Sequence, residues 1–307
     1  MLDYAALQAL ATVVREGSFE RAAHRLHITP SAVSQRIKLL EERVGQTLVV
    51  RGVPCTGTEA GRRLCLHVEQ VALLENELRR ANPTLVPDPQ ALPPTLKLAV
   101  NGDSLATWFM GALAAFTASG DELLDIRIDD QDHTAQFIKE GDVLAAVTAT
   151  AGAIAGCDTV PLGTMTYVAA ASPAFVARHL PAGADAPSLA RAPQMTFDRR
   201  DRLQDNWLRQ EGLLSSRALA PRHFLPSVAG YVRGCEIGMG WGMHPLALVQ
   251  GQLDQGLLVE IKPGARLDVP LYWVYARSAK ASLARLTRCV LAAAPQGLHS
   301  PPGATSA

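Results

Sequence analysis

Apolar residues recur at helical spacing through the first eighty positions. Leu7, Leu10 and Val14 share one face of a helix predicted over about Asp3 to Arg15. Phe19, Ala22, Ala23 and Leu26 repeat the i, i+3, i+4, i+7 pattern after Ser18, whose hydroxyl is suited to cap free backbone N–H groups. His27 and Ile28 fall in a break. A further helix opens at Thr29 with Pro30 at its first position, where a missing N–H costs nothing, and Ile28 is placed to staple onto Val33. From there Val33, Ile37, Leu40 and Val44 make a single helical stripe. The β-branched residues of Thr47 to Arg51 read as a strand running into Gly52 and Pro54.

A longer helix begins at Thr58. Its Leu64, Val68, Val71, Leu74 and Leu78 recur at spacings of three and four, with Glu69, Glu75, Arg79 and Arg80 off the stripe. So narrow a seam needs a partner, either the chain's own head or a second copy. Residues 81–94, ANPTLVPDPQALPP, hold five prolines and end the helix in a hinge. Beyond it, strands at Thr95 to Val100, Leu124 to Ile128 and Val143 to Val147 alternate with helices at 105–118 and 133–140. Leu105, Phe109, Ala112 and Phe116 point inward in the first helix, and Ile126 and Ile128 in the second strand. A second set comes next: strands at Tyr167 to Ala171 and Met195 to Phe197, with helices from Pro173, at 204–211 and, after a segment at 222–225, from Ser227. The turn GMGWG, strands at Leu257 to Ile261 and Leu271 to Tyr275, and a helix at 281–294 complete it. The order predicts an α/β domain with a largely parallel sheet, in two small lobes joined by crossing strands, and a disordered tail PQGLHSPPGATSA.

Composition changes this picture little. With 307 residues, 48% of them hydrophobic and 19% charged, the chain has room for several domains and a sizeable core. It lacks an apolar run long enough for a membrane span and the basic start of a secretory signal, so a cytoplasmic protein is expected. Five scattered cysteines without a CxxC pair suggest buried thiols, neither a disulfide framework nor a zinc site. The net charge of zero hides a basic head: from Arg21 to Arg51, six basic residues stand against Glu41 and Glu42.

That head carries the clearest chemistry. Ser31, Gln35 and Lys38 point away from the Val33 stripe, with Ser34 at its shoulder. An amide suits adenine and a cation suits guanine or phosphate, so two short helices presenting these groups fit a major-groove reader. An ordinary amphipathic pair with a solvated face remains the alternative at this point. Enzyme classes find no support: HExxH, GxSxG and the P-loop are missing, GMGWG lacks GxGxxG spacing, and His24 and His27 are placed as surface or core residues.

Strand ends in open α/β sheets collect ligands. NGDSLATW follows one strand, and Ser104 there could hold a carboxylate or simply cap. IDDQDH gathers Asp129, Asp130 and Asp132, with Asp130 on the side of Ile126 and Ile128; Thr148 ends a third strand. A carboxylate grip beside an acidic grip outlines a site for a basic amino acid, although a solvated turn explains the aspartates equally.

From Leu7 to Gly61, above all in FERAAHRLHITPSAVSQRIKLLEERVGQTLVVR and the TEAG beyond it, the chain resembles the LysR-type transcriptional regulators. NGDSLATWF, DDQDHTAQFIKEGDVLAAVT, AGCDTVPLGTM, PSVAGY, GMGWGMHP and PLYW resemble the arginine/lysine-responsive branch of that family, regulators of basic amino acid exporters. Gly102 stands where that branch usually has alanine, Gln131 where it has glutamate, and Arg51 is the one certain wing cation.

The resemblance implies a winged helix-turn-helix at 1–58, a linker and dimerisation helix at 59–81 and a Pro-rich hinge at 82–94. Beyond the hinge it implies a two-lobed α/β, periplasmic-binding-protein-like effector domain, with lobe I at 95–168 plus 269–294, lobe II at 169–268 and a tail at 295–307. DNA contacts are expected at Thr29, Pro30, Ser31, Ser34, Gln35, Arg36, Lys38 and Arg51. Effector contacts are expected at Ser104, Trp108, Asp130, Thr148, Asp198 and Ser227. The expected partners are double-stranded DNA at an interrupted dyad, further copies of the chain as a dimer or tetramer, and RNA polymerase. No cofactor or metal is implied beyond a small effector, lysine or arginine. A regulator of a different metabolite, or an architectural DNA binder with vestigial lobes, would share the same head.

Overall fold

The computed structural model describes residues 3–82, 93–128, 137–138, 142–150, 152, 154–214 and 220–299. Packing divides the chain into two compact units, one carrying the N-terminal helices through Lys97 and the other most of the chain beyond Lys97.

In the first unit, α1 (Tyr4–Glu16), α2 (Phe19–Arg25) and α3 (Pro30–Val44) enclose a core of Leu7, Leu10, Val13, Ala22, Val33, Ile37 and Leu40. Val13, with no exposed surface, takes the inward place expected of Val14, which is only partly buried. The caps agree with the sequence pattern. Ser18 accepts from the N–H groups of Glu20 and Arg21, Thr29 from that of Ala32, and Pro30 opens α3. The wing is a short antiparallel pair, β1 (Val49–Val50) with β2 (Thr56–Gly57), so the strand expected over Thr47 to Arg51 shrinks to two residues. Thr58 caps α4 (Glu59–Ala81), and a Cβ on Gly61 in its first turn would overlap the Leu48 carbonyl oxygen. Only glycine lets the helix start this close to the strand.

The seam of α4 is divided. Cys65 is buried, and Leu64 and Val68 pack on the head core. Leu74 and Leu78, further along the same helix, are 54% and 48% exposed. The first half of the stripe therefore serves the chain's own head and the second half is uncovered. The proline-rich hinge falls almost wholly outside the described residues.

The second unit is organised by two long antiparallel strands, β6 (Cys157–Ala171) and β11 (Arg266–Ala276). Their remaining partners, in chain order, are β3 (Thr95–Val100), β4 (Leu123–Ile128), β5 (Ala145–Thr148), β9 (Gly242–Pro245) and β10 (Val259–Glu260). The sheet runs β10-β6-β11-β5-β3-β4, with β9 also on β6, and β7 (Gln194–Thr196) pairs separately with β8 (Arg222–Phe224). Strand and helix alternation predicts a largely parallel sheet, and the structure corrects this. Among the ladders whose direction is described, only β3 with β5 and β7 with β8 are parallel; β6 and β11 pair antiparallel with each other and with β5, β9 and β10. The long strands also exceed expectation, because CDTVPLGTMT has neither clean alternation nor freedom from Pro and Gly. Its extended form depends on a full-length partner in β11, and the ladder slips at Leu271/Tyr272.

The helices of this part of the chain are α5 (Gly102–Ala106), α6 (Phe109–Thr117), α7 (Pro173–His179), α8 (Ala186–Leu189), α9 (Leu203–Gln210), α10 (Val228–Glu236), α11 (Leu246–Asp254) and α12 (Lys280–Gly297). The single helix expected at 105–118 is thus two. Thr107, at φ −119° and ψ −102°, breaks it, and its hydroxyl donates to the Asp103 carbonyl in place of a helix N–H. Ile128, expected inward, is 55% exposed on the edge strand β4. Helix α11 is an element the hydrophobic pattern does not mark.

The tail also differs. Helix α12 runs through Pro295 to Gly297, Leu298 is buried, and Thr164 and His299 exchange backbone N–H···O bonds of 2.8 and 3.0 Å. Residues 295–299 are ordered by that bridge; 300–307 lie outside the described residues. All five cysteines are free thiols, three of them buried and Cys157 and Cys289 half-buried.

Candidate nucleic-acid interface and ligand cleft

On α3 the buried stripe of Val33, Ile37 and Leu40 fixes which residues face out. Ser31, Gln35 and Lys38 are exposed, while Ser34 and Arg36 on the flanks are half-buried. The Thr29 and Ser31 hydroxyls lie 3.0 Å apart at the helix start beside Pro30. Lys38 has a side chain 74% exposed, and Glu42 one turn on, at 3.8 Å, is a loose surface partner that a phosphate can displace. In the wing, the Arg51 guanidinium stacks over the Phe19 ring at 5.2 Å, which holds a cation at the edge of the reading helices. The eight residues expected at this surface therefore all belong to the head, seven on or beside α3 and Arg51 in the wing.

The second unit holds a cleft of about 140 Å³. The end of β3 and start of α5 contribute Asn101, Gly102 and Asp103, the loop after β5 contributes Ala149, and the loop after β7 contributes Phe197, Asp198 and Asp201. Arg202 and Asn206 add polar groups, and Val228, Tyr231, Met243, His244, Leu248 and Val269 give it mostly apolar walls. Three carboxylates converge on one small space, and their environments differ.

Asp198 loses some of its ionisation to burial, but the backbone N–H groups of Arg200 and Asp201 and the Arg200 guanidinium outweigh that and hold its carboxyl below the usual range. Asp201 is pushed up by burial although Phe197, Leu203 and Gln204 all donate to it. Asp103 is pushed up to about 6, first by burial and then by the Asp201 charge, against a single 2.8 Å bond donated by the Tyr167 hydroxyl. Asp103 is thus the carboxylate with acceptor capacity to spare. Below it Tyr231 donates to the Met195 carbonyl and accepts from Gln204 and from the Met243 N–H. His244, wholly buried, has its pKa lowered to about 3 and is a neutral ring.

Of the expected effector residues, Asp198 alone lines this cleft among those described. Ser104 is fully buried beside Asp103, with its hydroxyl unpartnered, behind the lining. Thr148 is also fully buried and accepts from the Thr150 N–H, while its neighbour Ala149 faces the cleft. Ser227 is the exposed cap of α10, accepting from the Gly230 N–H, and its neighbour Val228 faces the cleft. Trp108 belongs to the core: it is 6% exposed, stands edge-on to Phe109 at 5.3 Å, and sits where a Cβ on Gly297 would collide. Asp130 lies outside the described residues.

In three cases the residue lining this cleft is the immediate neighbour of the expected one, Asp103, Ala149 and Val228 beside Ser104, Thr148 and Ser227. Asp103 lies inside the motif that flagged Ser104, but α5 is a lone turn broken at Thr107, so periodicity cannot say which of the two faces the cleft. Asp201 comes three residues after Asp198 in FDRRD, which as a sequence is only a charged loop. Tyr231 and His244 lie within PSVAGY and GMGWGMHP, but nothing in the spacing of those stretches singles the two residues out.

Comparison with known proteins matches both parts of the chain. Residues 4–62 match the model described as bacterial regulatory helix-turn-helix protein, lysR family, and residues 89–295 match the LysR substrate binding domain. The HTH-type transcriptional regulator ArgP of Pseudomonas aeruginosa is 45% identical over 298 residues, 97% of this chain and 98% of that one. The crystal structure of ArgP from Mycobacterium tuberculosis aligns at a TM-score of 0.80 with 43% identity, covering 98% of this chain and 100% of that one. Full-length LysG from Corynebacterium glutamicum with bound effector Arg aligns at a TM-score of 0.70 and 34% identity, over 97% of this chain and 100% of that one.

Proposed function

This chain belongs to the LysR family of bacterial helix-turn-helix regulators, and on that premise we propose that it is a transcription regulator controlled by a basic amino acid, lysine or arginine. The observation that carries the effector reading is the convergence of Asp103, Asp198 and Asp201 on one cleft, with Asp103 under-supplied with donors. Like charges crowded into a low-dielectric space repel, and a guanidinium or ammonium entering among them relieves that cost. The apolar walls of Val228, Leu248 and Met243 suit the methylenes of such a side chain. LysG of Corynebacterium glutamicum, a relative at 34% identity, has been solved with arginine bound as effector, which supports the same class here.

The output is DNA recognition by α3 and the wing. Ser31, Ser34, Gln35 and Lys38, with Thr29 and Pro30 at the helix start, meet base edges and nearby phosphates, and Arg36 and Arg51 meet backbone. Two heads brought together through the uncovered Leu74 and Leu78 of α4 would read an interrupted dyad, as a dimer or tetramer acting with RNA polymerase. Effector binding biases such an assembly only if its affinity differs between two arrangements of the heads. The regulated gene on this reading encodes a basic amino acid exporter, the protein is not an enzyme, and it works in the cytoplasm without a cofactor. Among the described residues no helix is long and apolar enough to cross a membrane.

Calorimetric titration of the full-length chain with lysine, arginine, glutamine and glutamate tests this, paired with footprinting on its own promoter region. Saturable binding of lysine or arginine alone, with a changed footprint, is the expected result. Binding of glutamate in preference, or of none of the four, would refute it.

A further inference from the structure

Three carboxylates attract any small cation, and a diamine carries more positive charge than lysine. A group that a diamine cannot satisfy is therefore needed if the cleft is to select an amino acid. We infer that Asn101 is that group: it reads the α-carboxylate of the ligand, so that the cleft takes a basic amino acid and turns away its decarboxylated amine. This rests on the basic amino acid reading above.

Asn101 lines the cleft and is 3% exposed. Its Oδ1 accepts the backbone N–H of Ser104 at 2.7 Å. Because Ser104 N can only donate, that bond settles which side of the amide is oxygen and which is nitrogen. Nδ2 is left as a donor, buried and without a hydrogen-bond partner. Native proteins rarely leave such a donor unmade, and at a ligand cleft the natural complement is an acceptor brought by the ligand. Ammonium and guanidinium groups supply none; a carboxylate supplies two oxygens.

The surroundings favour Asn101 over its neighbours for this role. His244, the other cleft residue with an unpartnered nitrogen, Nε2, is kept neutral by burial and adds no positive charge for a carboxylate to seek. Arg202 stands at the same cleft, but its side chain is 58% exposed and 3.6 Å from Asp205, so its pull is screened and shared. Asp103, two residues from Asn101, takes the cationic end, and the pair of them measures charge of both signs across a short span.

The test is a comparison of lysine with cadaverine and arginine with agmatine by calorimetry on the full-length protein, in wild type and in Asn101→Asp. Aspartate retains the oxygen that accepts from Ser104 and replaces the free donor by an acceptor. Wild type should prefer each amino acid over its amine by roughly a hundredfold or more, about two factors of ten in Kd. Asn101→Asp should lose at least tenfold for lysine and arginine while holding or improving its binding of the amines. Asn101→Ser, which also caps α5 but lacks the amide, should lose the amino acids and leave the amines unchanged; it serves if the aspartate variant is unstable. Equal losses for amino acids and amines in both variants would mark Asn101 as structural and overturn the inference, as would wild-type binding of amines as tightly as amino acids. If wild type binds none of the four, this inference falls together with the reading it rests on; binding without discrimination by Asn101 removes the inference alone.

Discussion

The Tyr167 hydroxyl donates to Asp103 Oδ2 at 2.8 Å, joining strand β6 to the first turn of α5. It is the one protein donor described for that carboxylate, whereas Asp198 and Asp201 each take several from their own loop. The cleft therefore holds one acid poised between its two protonation states and two that are already satisfied.

Asp103→Asn should abolish the response to lysine and arginine and stabilise the ligand-free protein. The folded pKa, about 6, stands above the ordinary value of 3.8. The stability this group contributes is complete below 3.8 and is lost as pH rises through about 6. At pH 7.5 the variant should gain on the order of 3 kcal/mol in urea unfolding, and near pH 4 a small fraction of that. A variant less stable than wild type at pH 7.5 would contradict this.

Ligand affinity should carry the same titration. A cation pairs with ionised Asp103, so below pH 6 each unit of acid should weaken lysine or arginine by up to about tenfold, with little change above pH 7. Titrations between pH 5 and 8 give the profile; affinity flat down to pH 5 would place the cation elsewhere.

His244 acts in the opposite direction. Its folded pKa, about 3, lies below the ordinary 6.5, so its contribution is complete above 6.5 and is lost as pH falls through the window towards 3. Compared with His244→Phe, wild type should lose about 1.4 kcal/mol per pH unit between roughly pH 6 and 4. Parallel stability curves for the two proteins would mean that His244 is protonated in the fold.

The exposed half of the α4 seam predicts a change in assembly. Leu74→Glu with Leu78→Glu should leave the head folded, since Leu64, Cys65 and Val68 secure that end, but should lower the sedimenting mass to that of a single chain and weaken promoter binding. An unchanged mass would move the oligomer contact off this helix.

At the DNA surface, Lys38→Ala should reduce the slope of log K against log salt by about one if Lys38 neutralises a phosphate. Gln35→Ala should leave the slope alone and relax base preference at one position, at a cost of about 1–3 kcal/mol on the preferred site. Binding-site selection with both variants separates the two roles.

The head is legible in the sequence because its information is local. Ser18 and Thr29 cap the helices they precede, and the stripe of Val33, Ile37 and Leu40 dictates that Ser31, Gln35 and Lys38 face outward, whatever the rest of the chain does. Helical spacing on α4 is equally plain, but which part of the stripe meets the head and which remains uncovered depends on where the wing lies, a contact between distant residues such as Gly61 and Leu48.

The effector domain shows the other limit. Many element positions can be read from alternation and breakers, yet β6 extends through Pro161 and Gly163 because β11 pairs along it, and residues 298–299 are ordered because Thr164 accepts from and donates to His299. Sequence alone determined a two-part regulator with a capped reading helix, and it pointed to the ends of β3 and β5, beside which the cleft lies. Tertiary structure decided that Asp103 rather than Ser104, and Asp201 together with Asp198, face that space. A one-turn helix broken at Thr107 has no periodicity to read, and burial is set by residues far along the chain, with Tyr167 lying 64 positions from Asp103.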